Sequence, residues 1–193
     1  MENPHVATDV SGLVGKAGVP DFWSVAVKNN QILMQTFREK DKEVLPFLSG
    51  LHVKRIEEPQ SINFKLTFRE NEWFTNETLT CCVRYKEGTN DEIAETVGCL
   101  IDWKDGKDLS KKKIKKKQKN KKTNETRTIV KTVAAETFFN VFESKKAPED
   151  KDSDDEDEEA EKLIDGLDEA MQVAEDLYDL YTRDGLEYYL NFG

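Results

Sequence analysis

No stretch of this 193-residue chain approaches the roughly 18 consecutive apolar residues of a membrane-crossing helix. The first residues, MENPHVATDVSG, lack the basic and apolar regions of a secretory signal. Cysteine is scarce. Cys81, Cys82 and Cys99 form an odd set without metal-ligand spacing, which reads as reduced thiols in a cytosolic or nuclear protein. In such a setting the sequons at Asn76 and Asn124 are chance matches. Histidine is scarcer still: His5 lies near the start, and His52 has no Cys or His at zinc spacing. A nucleophile elbow, a phosphate-cradling glycine loop and a zinc-protease helix are all missing. This poverty argues against an enzyme and implies no cofactor, metal or small-molecule substrate. Positive charge is in the minority, with 29 Lys and Arg against 39 Asp and Glu and a formal net charge of −10. A net-acidic chain repels nucleic acid at long range and attracts basic partners.

What is present is charge of both signs, kept apart. Residues 111–122 read KKKIKKKQKNKK and residues 149–161 read EDKDSDDEDEEAE. Segregation of this kind fits a charged macromolecule better than a small substrate. The cationic run is Lys111, Lys112, Lys113, Lys115, Lys116, Lys117, Lys119, Lys121 and Lys122. It reads as a nuclear-import signal, as a phosphate-contacting surface, or simply as a solvated loop. No aromatic residue interleaves the lysines, so base stacking is not expected. The anionic run supplies Asp150, Asp152, Asp154, Asp155, Glu156, Asp157, Glu158, Glu159 and Glu161. Its bland reading is a solubilising segment; its functional reading is a docking surface for Lys- and Arg-rich protein through many weak contacts. Ser153 sits among these acids and is a candidate for an acid-directed kinase, whose product adds about −1.5 to −2 charge.

Periodicity sets the expected architecture. Residues 1–19 read as a flexible lead-in. Asp21 is a candidate N-cap, followed by an apolar helical face of Phe22, Val25, Ala26, Ile32, Leu33 and Phe37. A short helical turn is expected over residues 43–48, kept short by Pro46. Period-two alternation then predicts strands over residues 51–56 and 62–68, a third through Leu79, Cys81, Val83 and Tyr85, and a fourth through Val97, Cys99, Ile101 and Trp103. Short connections make them antiparallel. Residues 111–118 and 126–133 predict a protruding hairpin. Phe138, Phe139, Val141 and Phe142 should dock on the core. The acidic run is expected to be a disordered loop over residues 149–161, inside one domain made of residues 20–148 and 160–192. After it, Ala160, Leu163, Ile164, Leu167, Ala170, Met171, Ala174, Leu177, Tyr178 and Tyr181 form a helical stripe read as core packing. Asp165, Asp168, Glu169, Glu175, Asp176 and Asp179 lie on the opposite face, where Asp165, Asp168 and Glu169 are further candidates for binding a basic partner.

Five pieces occur in an order that resembles the nucleosome assembly protein (NAP) family of histone chaperones. They are Val19-Pro20-Asp21-Phe22-Trp23 with Val27-Lys28-Asn29; FKLTFRENEWFTN from Phe64 with Leu79-Thr80; IDWKDGKDLSKKKIKKKQ from Ile101; Thr126-Arg127; and Phe138-Phe139-Asn140-Val141-Phe142. LEYYL at 186–190 and the Gly-Lys-Asp-Leu at 106–109 are closest to the SET-like branch. The resemblance implies an α+β "earmuff" domain, with a four-stranded antiparallel sheet, helices on one side and a projecting basic hairpin. It implies core histones as partners, bound through acidic surfaces without ATP, and an import receptor reading the hairpin. The SET-like features also imply a regulatory-scaffold or phosphatase-inhibiting alternative. Family members dimerise through a long N-terminal helix that often carries an export signal. The residues before Pro20 show no heptads, so neither is expected here. Nor is the family's long acidic tail. Cys81 stands where the family's Leu-Thr-Lys motif has a Lys.

Overall fold

The computed structural model describes residues 19–89, 92–119, 126–148 and 158–191. Three short helices open it: α1 (Phe22–Asn29), α2 (Gln31–Thr36) and α3 (Glu39–Lys42). The expected single apolar face is thus broken at Asn30. This buried side chain accepts hydrogen bonds from the N–H groups of Ile32 and Leu33 and so caps α2. Asp21 occupies the N-cap position of α1 but does not cap it. Its backbone is left-handed (φ 55°), and its carboxylate turns away to Arg69, 2.6 Å distant. The turn expected over 43–48 is a 3-10 turn at Leu45–Phe47, with Pro46 in its first turn, where a missing N–H costs nothing.

Strands β1 (Leu48–Ile56), β2 (Ser61–Phe68), β3 (Thr78–Tyr85) and β4 (Ile93–Val97) follow as an antiparallel meander. A two-residue strand, β7 (Lys145–Lys146), adds a fifth member beyond β4, so the sheet order is β1-β2-β3-β4-β7. In β2 the alternation holds as read: Ile62, Phe64, Leu66 and Phe68 are buried, while Lys65 is exposed. Full burial of such side chains contributes about 1.5–3 kcal/mol each.

The fourth strand differs from expectation. It lies earlier, and the chain leaves the ladder at Gly98. A Cβ there would stand 1.7 Å from the Phe142 carbonyl oxygen, so only glycine allows this approach. Beyond it, the Thr80 N–H donates to Cys99 Sγ (3.2 Å), where a continued strand would offer a carbonyl. An isolated bridge pairs Trp103 with Phe74. Residues 100–104 are held by the 71–76 turn. Asn71 Oδ1 accepts from the N–H groups of Trp73 and Phe74, and the Asn71 carbonyl accepts from Lys104 Nζ. Asn76 accepts from the Asp102 N–H and donates to the Leu100 carbonyl.

Strands β5 (Lys111–Lys119) and β6 (Thr126–Ala134) form a separate two-stranded sheet, in register from Lys111–Ala134 to Lys119–Thr126. The lysine arm does not stand alone. β6 brings Ile129, Val130 and Val133 beside it. A second 3-10 turn (Phe138–Phe142) then buries Phe138, Phe139, Val141 and Phe142.

Helix α4 (Glu158–Asp179) crosses the covered face of the sheet and runs through a π-turn (Leu180–Asp184) into α5 (Gly185–Tyr189). Leu167, Ala170, Val173, Ala174, Leu177 and Leu180 are buried, which makes the apolar stripe core. Its two ends lie outside that core: Ile164 is 45% and Tyr181 36% exposed. Of the acidic loop expected over 149–161, residues 149–157 lie outside the described residues, and the last residues are helical instead: Glu158, Glu159 and Glu161 form the first turn of α4. Carboxylates there face the positive end of the helix dipole, which favours helix over loop.

Asp41 pins the two halves together. It is 1% exposed; its Oδ1 accepts from Thr137 Oγ1 (2.5 Å), and its Oδ2 from the Phe138 N–H (2.8 Å) and the Arg38 N–H (2.9 Å). Asp41→Ala strands three donors and is expected to cost about 3 kcal/mol of unfolding free energy. Urea denaturation of the variant beside the exposed-site control Glu39→Ala, which should change stability by less than about 0.5 kcal/mol, checks this.

Candidate functional site

The outer face of α4 presents carboxylates in a row. Burial of Leu167, Ala170, Val173, Ala174 and Leu177 fixes the helix's rotation, and the 3.6-residue repeat carries the acids outward. Glu161, Asp165 and Asp168 are exposed and Glu169 is half-buried. Among the described residues none of these four has a hydrogen-bond or ion-pair partner. Glu158 pairs with Lys162 at 3.4 Å on the exposed surface.

The acids further along α4 are engaged within the fold. Glu175 accepts from the Tyr85 hydroxyl (2.7 Å) and pairs with Arg55, whose guanidinium lies 4.7 Å from the Tyr178 ring centre. Burial and the Glu175 carboxylate hold the Tyr85 phenol above its ordinary range. Asp179 pairs with Arg183 at 3.1 Å. Asp176 accepts from Gln172 Nε2 (3.0 Å) through one oxygen, while its Oδ2 is buried without a partner. Burial pushes its carboxyl up, and the neighbouring Asp179 and Glu175 add to this against the lowering effect of Gln172. Of the acids expected on the outer face, Asp165, Asp168 and Glu169 are therefore the ones free to meet a partner. The partners of Glu175 lie on β1 and β3, too distant in the chain for periodicity to reveal them.

Of the primary acidic candidates, Asp150, Asp152, Asp154, Asp155, Glu156 and Asp157 lie outside the described residues, as does Ser153. Glu158, Glu159 and Glu161 are exposed on α4. Of the lysines, Lys111 is held by Asp108 at 2.6 Å. Burial would raise the Asp108 carboxyl, but Lys111 and the Ser110 hydroxyl and N–H outweigh it and hold it below its ordinary value. Lys112, Lys113, Lys115 and Lys116 are exposed and unpaired among the described residues. Lys117 and Lys119 lie in β5, and Lys121 and Lys122 lie outside the described residues. The three cysteines carry free thiols, and burial pushes that of Cys81 up to about 12. No group of three or more His, Cys, Asp or Glu among the described residues is placed to hold a metal ion.

The model of the nucleosome assembly protein family matches residues 4–191. The chain belongs to that family. Among curated NAP relatives, it is 40% identical over 148 residues to nucleosome assembly protein 1-like 1-B of Xenopus laevis, and likewise to nucleosome assembly protein 1-like 1 of Homo sapiens. Each alignment covers 71% of this chain and 38% of the relative, so the chain corresponds to well under half the length of those proteins. Among solved structures, nucleosome assembly protein 1 from Plasmodium knowlesi aligns with a TM-score of 0.60 at 24% identity. That alignment covers 91% of this chain and 69% of the other. The sheet with helices on one side is thus the NAP fold, kept at low sequence identity.

A raised carboxyl pKa in the folded state means that ionisation opposes folding. The native fold binds this proton more tightly than the unfolded chain, so the contribution of Asp176 is favourable in acid and is lost as pH rises through its folded pKa. Asp176→Asn is accordingly expected to raise the melting temperature at pH 7. The gain should disappear as pH falls through the carboxylate range, which thermal melts across that range read directly.

Proposed function

We propose that this NAP-family chain is a histone chaperone. It binds core histones through exposed carboxylates and hands them on in nucleosome assembly and disassembly without ATP. The single observation that carries the reading is the row of Glu161, Asp165, Asp168 and Glu169. These acids stand on a rigid helix and have no partner among the described residues. The names of its relatives, nucleosome assembly proteins, point the same way.

Histones are strongly cationic and bind DNA promiscuously unless their charge is covered. A chaperone must compete with DNA and still let go. Exposed ion pairs contribute about 0–1 kcal/mol each, so a row of them gives useful affinity that any one contact can lose without collapse. The acids at 150–157 add to this surface in the proposal, and a phosphate on Ser153 would strengthen it. Lys111–Lys119 of β5, with Lys121 and Lys122, serves as the import signal. β5 lies in a two-stranded sheet separate from the five-stranded one.

Replacing Glu161, Asp165, Asp168 and Glu169 with Gln or Asn removes four contacts of roughly 0.5 kcal/mol each. The expected result is about a 30-fold weaker affinity for purified core histones near physiological salt, with a shallower salt dependence. Equilibrium pull-down of histones and, separately, of duplex DNA over a salt series measures it. Unchanged histone affinity, or tighter capture of DNA than of histones by the parent protein, refutes the reading.

A further inference from the structure

The face of the sheet away from α4 carries the opposite charge from the outer face of α4. Its side chains include His52 and Lys54 on β1, Asn63 and Lys65 on β2, and Thr80 and Cys82 on β3. Register brings them together: His52 stands opposite Lys65, Lys54 opposite Asn63, Lys65 opposite Thr80 and Asn63 opposite Cys82. Opposed side chains are about 4.5–5.5 Å apart at Cβ, and diagonal neighbours such as Lys54 and Lys65 about 7–8 Å, within reach of two lysine stems. They line an open depression of about 420 Å³, with Val97 (41% exposed) at its side. His52 is tied to the Tyr181 hydroxyl through Nδ1 (3.1 Å). The side chains of Lys54, Asn63, Lys65 and Thr80 have no hydrogen-bond or ion-pair partner among the described residues. On the same face, Glu95 is neutralised by Arg84.

Two free ammonium groups, one amide and one hydroxyl therefore converge on one shallow hollow, with no unpaired carboxylate lining it. In a protein of net charge −10 this is a local inversion of sign. We propose that the hollow docks a phosphorylated serine or threonine of a protein partner. The charge count selects the ligand. A phosphomonoester carries about −1.5 to −2 and three acceptor oxygens, which two lysines match. A nucleic-acid backbone would need many more cations to overcome the net charge of this chain. The hollow is open and borders exposed Val97, which suits a side chain carried on a polypeptide better than a free anion that needs enclosure. Lys65 and Thr80 take the phosphoryl oxygens from one side and Lys54 from the other, and Asn63 donates its amide between them.

The test uses the whole chain and four probes: a capped Gly-Gly-phosphoserine-Gly-Gly peptide, its unphosphorylated twin, inorganic phosphate and a short DNA duplex. Amide chemical shifts and titration calorimetry are read at low salt. The phosphopeptide is expected to move the resonances of Lys54, Asn63, Lys65 and Thr80, and the unphosphorylated peptide to leave them in place. Loss of both ammonium groups in K54Q/K65Q should weaken phosphopeptide binding about tenfold or more. A K112Q/K113Q control on the hairpin should bind as the parent does. Both pairs of lysines are exposed, and an unchanged circular dichroism spectrum confirms the fold. Four results overturn the proposal. They are no shift at these amides, equal affinity of the parent and K54Q/K65Q, equal affinity for inorganic phosphate, and tighter Lys54- and Lys65-dependent binding of the DNA duplex. The last two would reassign the hollow to a free anion or to nucleic acid.

Discussion

The Asp41 side chain is held out of water, and the rest of the architecture hangs on its three hydrogen bonds. Burying so polar a group is costly unless it is hydrogen-bonded. Here one oxygen closes the first turn of α3 through the Arg38 N–H, and the pair together cap the 3-10 turn that begins at Thr137. Residues almost a hundred positions apart are thereby fixed to a common point. The 3-10 turn then carries Phe138, Phe139 and Phe142 into the core, where Phe138 stacks on Phe37 with ring centres 4.0 Å apart. Its last carbonyl presses on Gly98 and ends β4. The surface on which α4 lies is built from these aromatics and the sheet, so the orientation of the acidic face descends from a contact that carries no acid outward.

Charge separation in this fold is a consequence of layering. The helix layer turns carboxylates outward, the open sheet face turns lysines outward, and a separate ribbon holds the densest lysines. At physiological ionic strength the Debye length is about 8 Å. Groups on opposite faces of a sheet covered by a helix are further apart than that. Each surface therefore presents its own sign to an approaching partner, while the net charge of −10 biases which partner arrives. Intramolecular neutralisation would defeat this. Two of the ion pairs, Arg55 with Glu175 and Arg84 with Glu95, sit where a strand meets the helix and where two strands are paired.

Much of the fold was legible because its strands have one wet and one dry face. Ile62, Phe64, Leu66 and Phe68 announced β2 by period alone, and the stripe through Leu167, Ala170, Ala174 and Leu177 announced α4. The fourth strand lies earlier than the alternation of Val97, Cys99, Ile101 and Trp103 implies. What interrupts them is the Phe142 carbonyl, contributed from more than forty residues away, and a glycine that reads as ordinary loop composition. Asn30 falls inside the helical period although its type favours a cap. At the candidate site, the outward acids of α4 were predicted as a class. Which of them are free was not, since that depends on Tyr85 and Arg55 arriving from other strands. The lysines of the open sheet face were visible one strand at a time; only the register makes them a cluster.

In the proposed function, a rigid acidic helix contributes to binding a polycation differently from an acidic segment that must first be ordered. Ordering a backbone costs roughly 1–2 kcal/mol per residue, more than an exposed ion pair returns. A partner that must order an acidic segment to make each contact gains little from it. On α4 that ordering cost is already met by Leu167, Val173 and Leu177, which are buried whether or not a partner is present. Each ion pair formed there adds to affinity without first fixing the chain. On the proposed chaperone reading, the helix face is therefore where single carboxylates should matter individually.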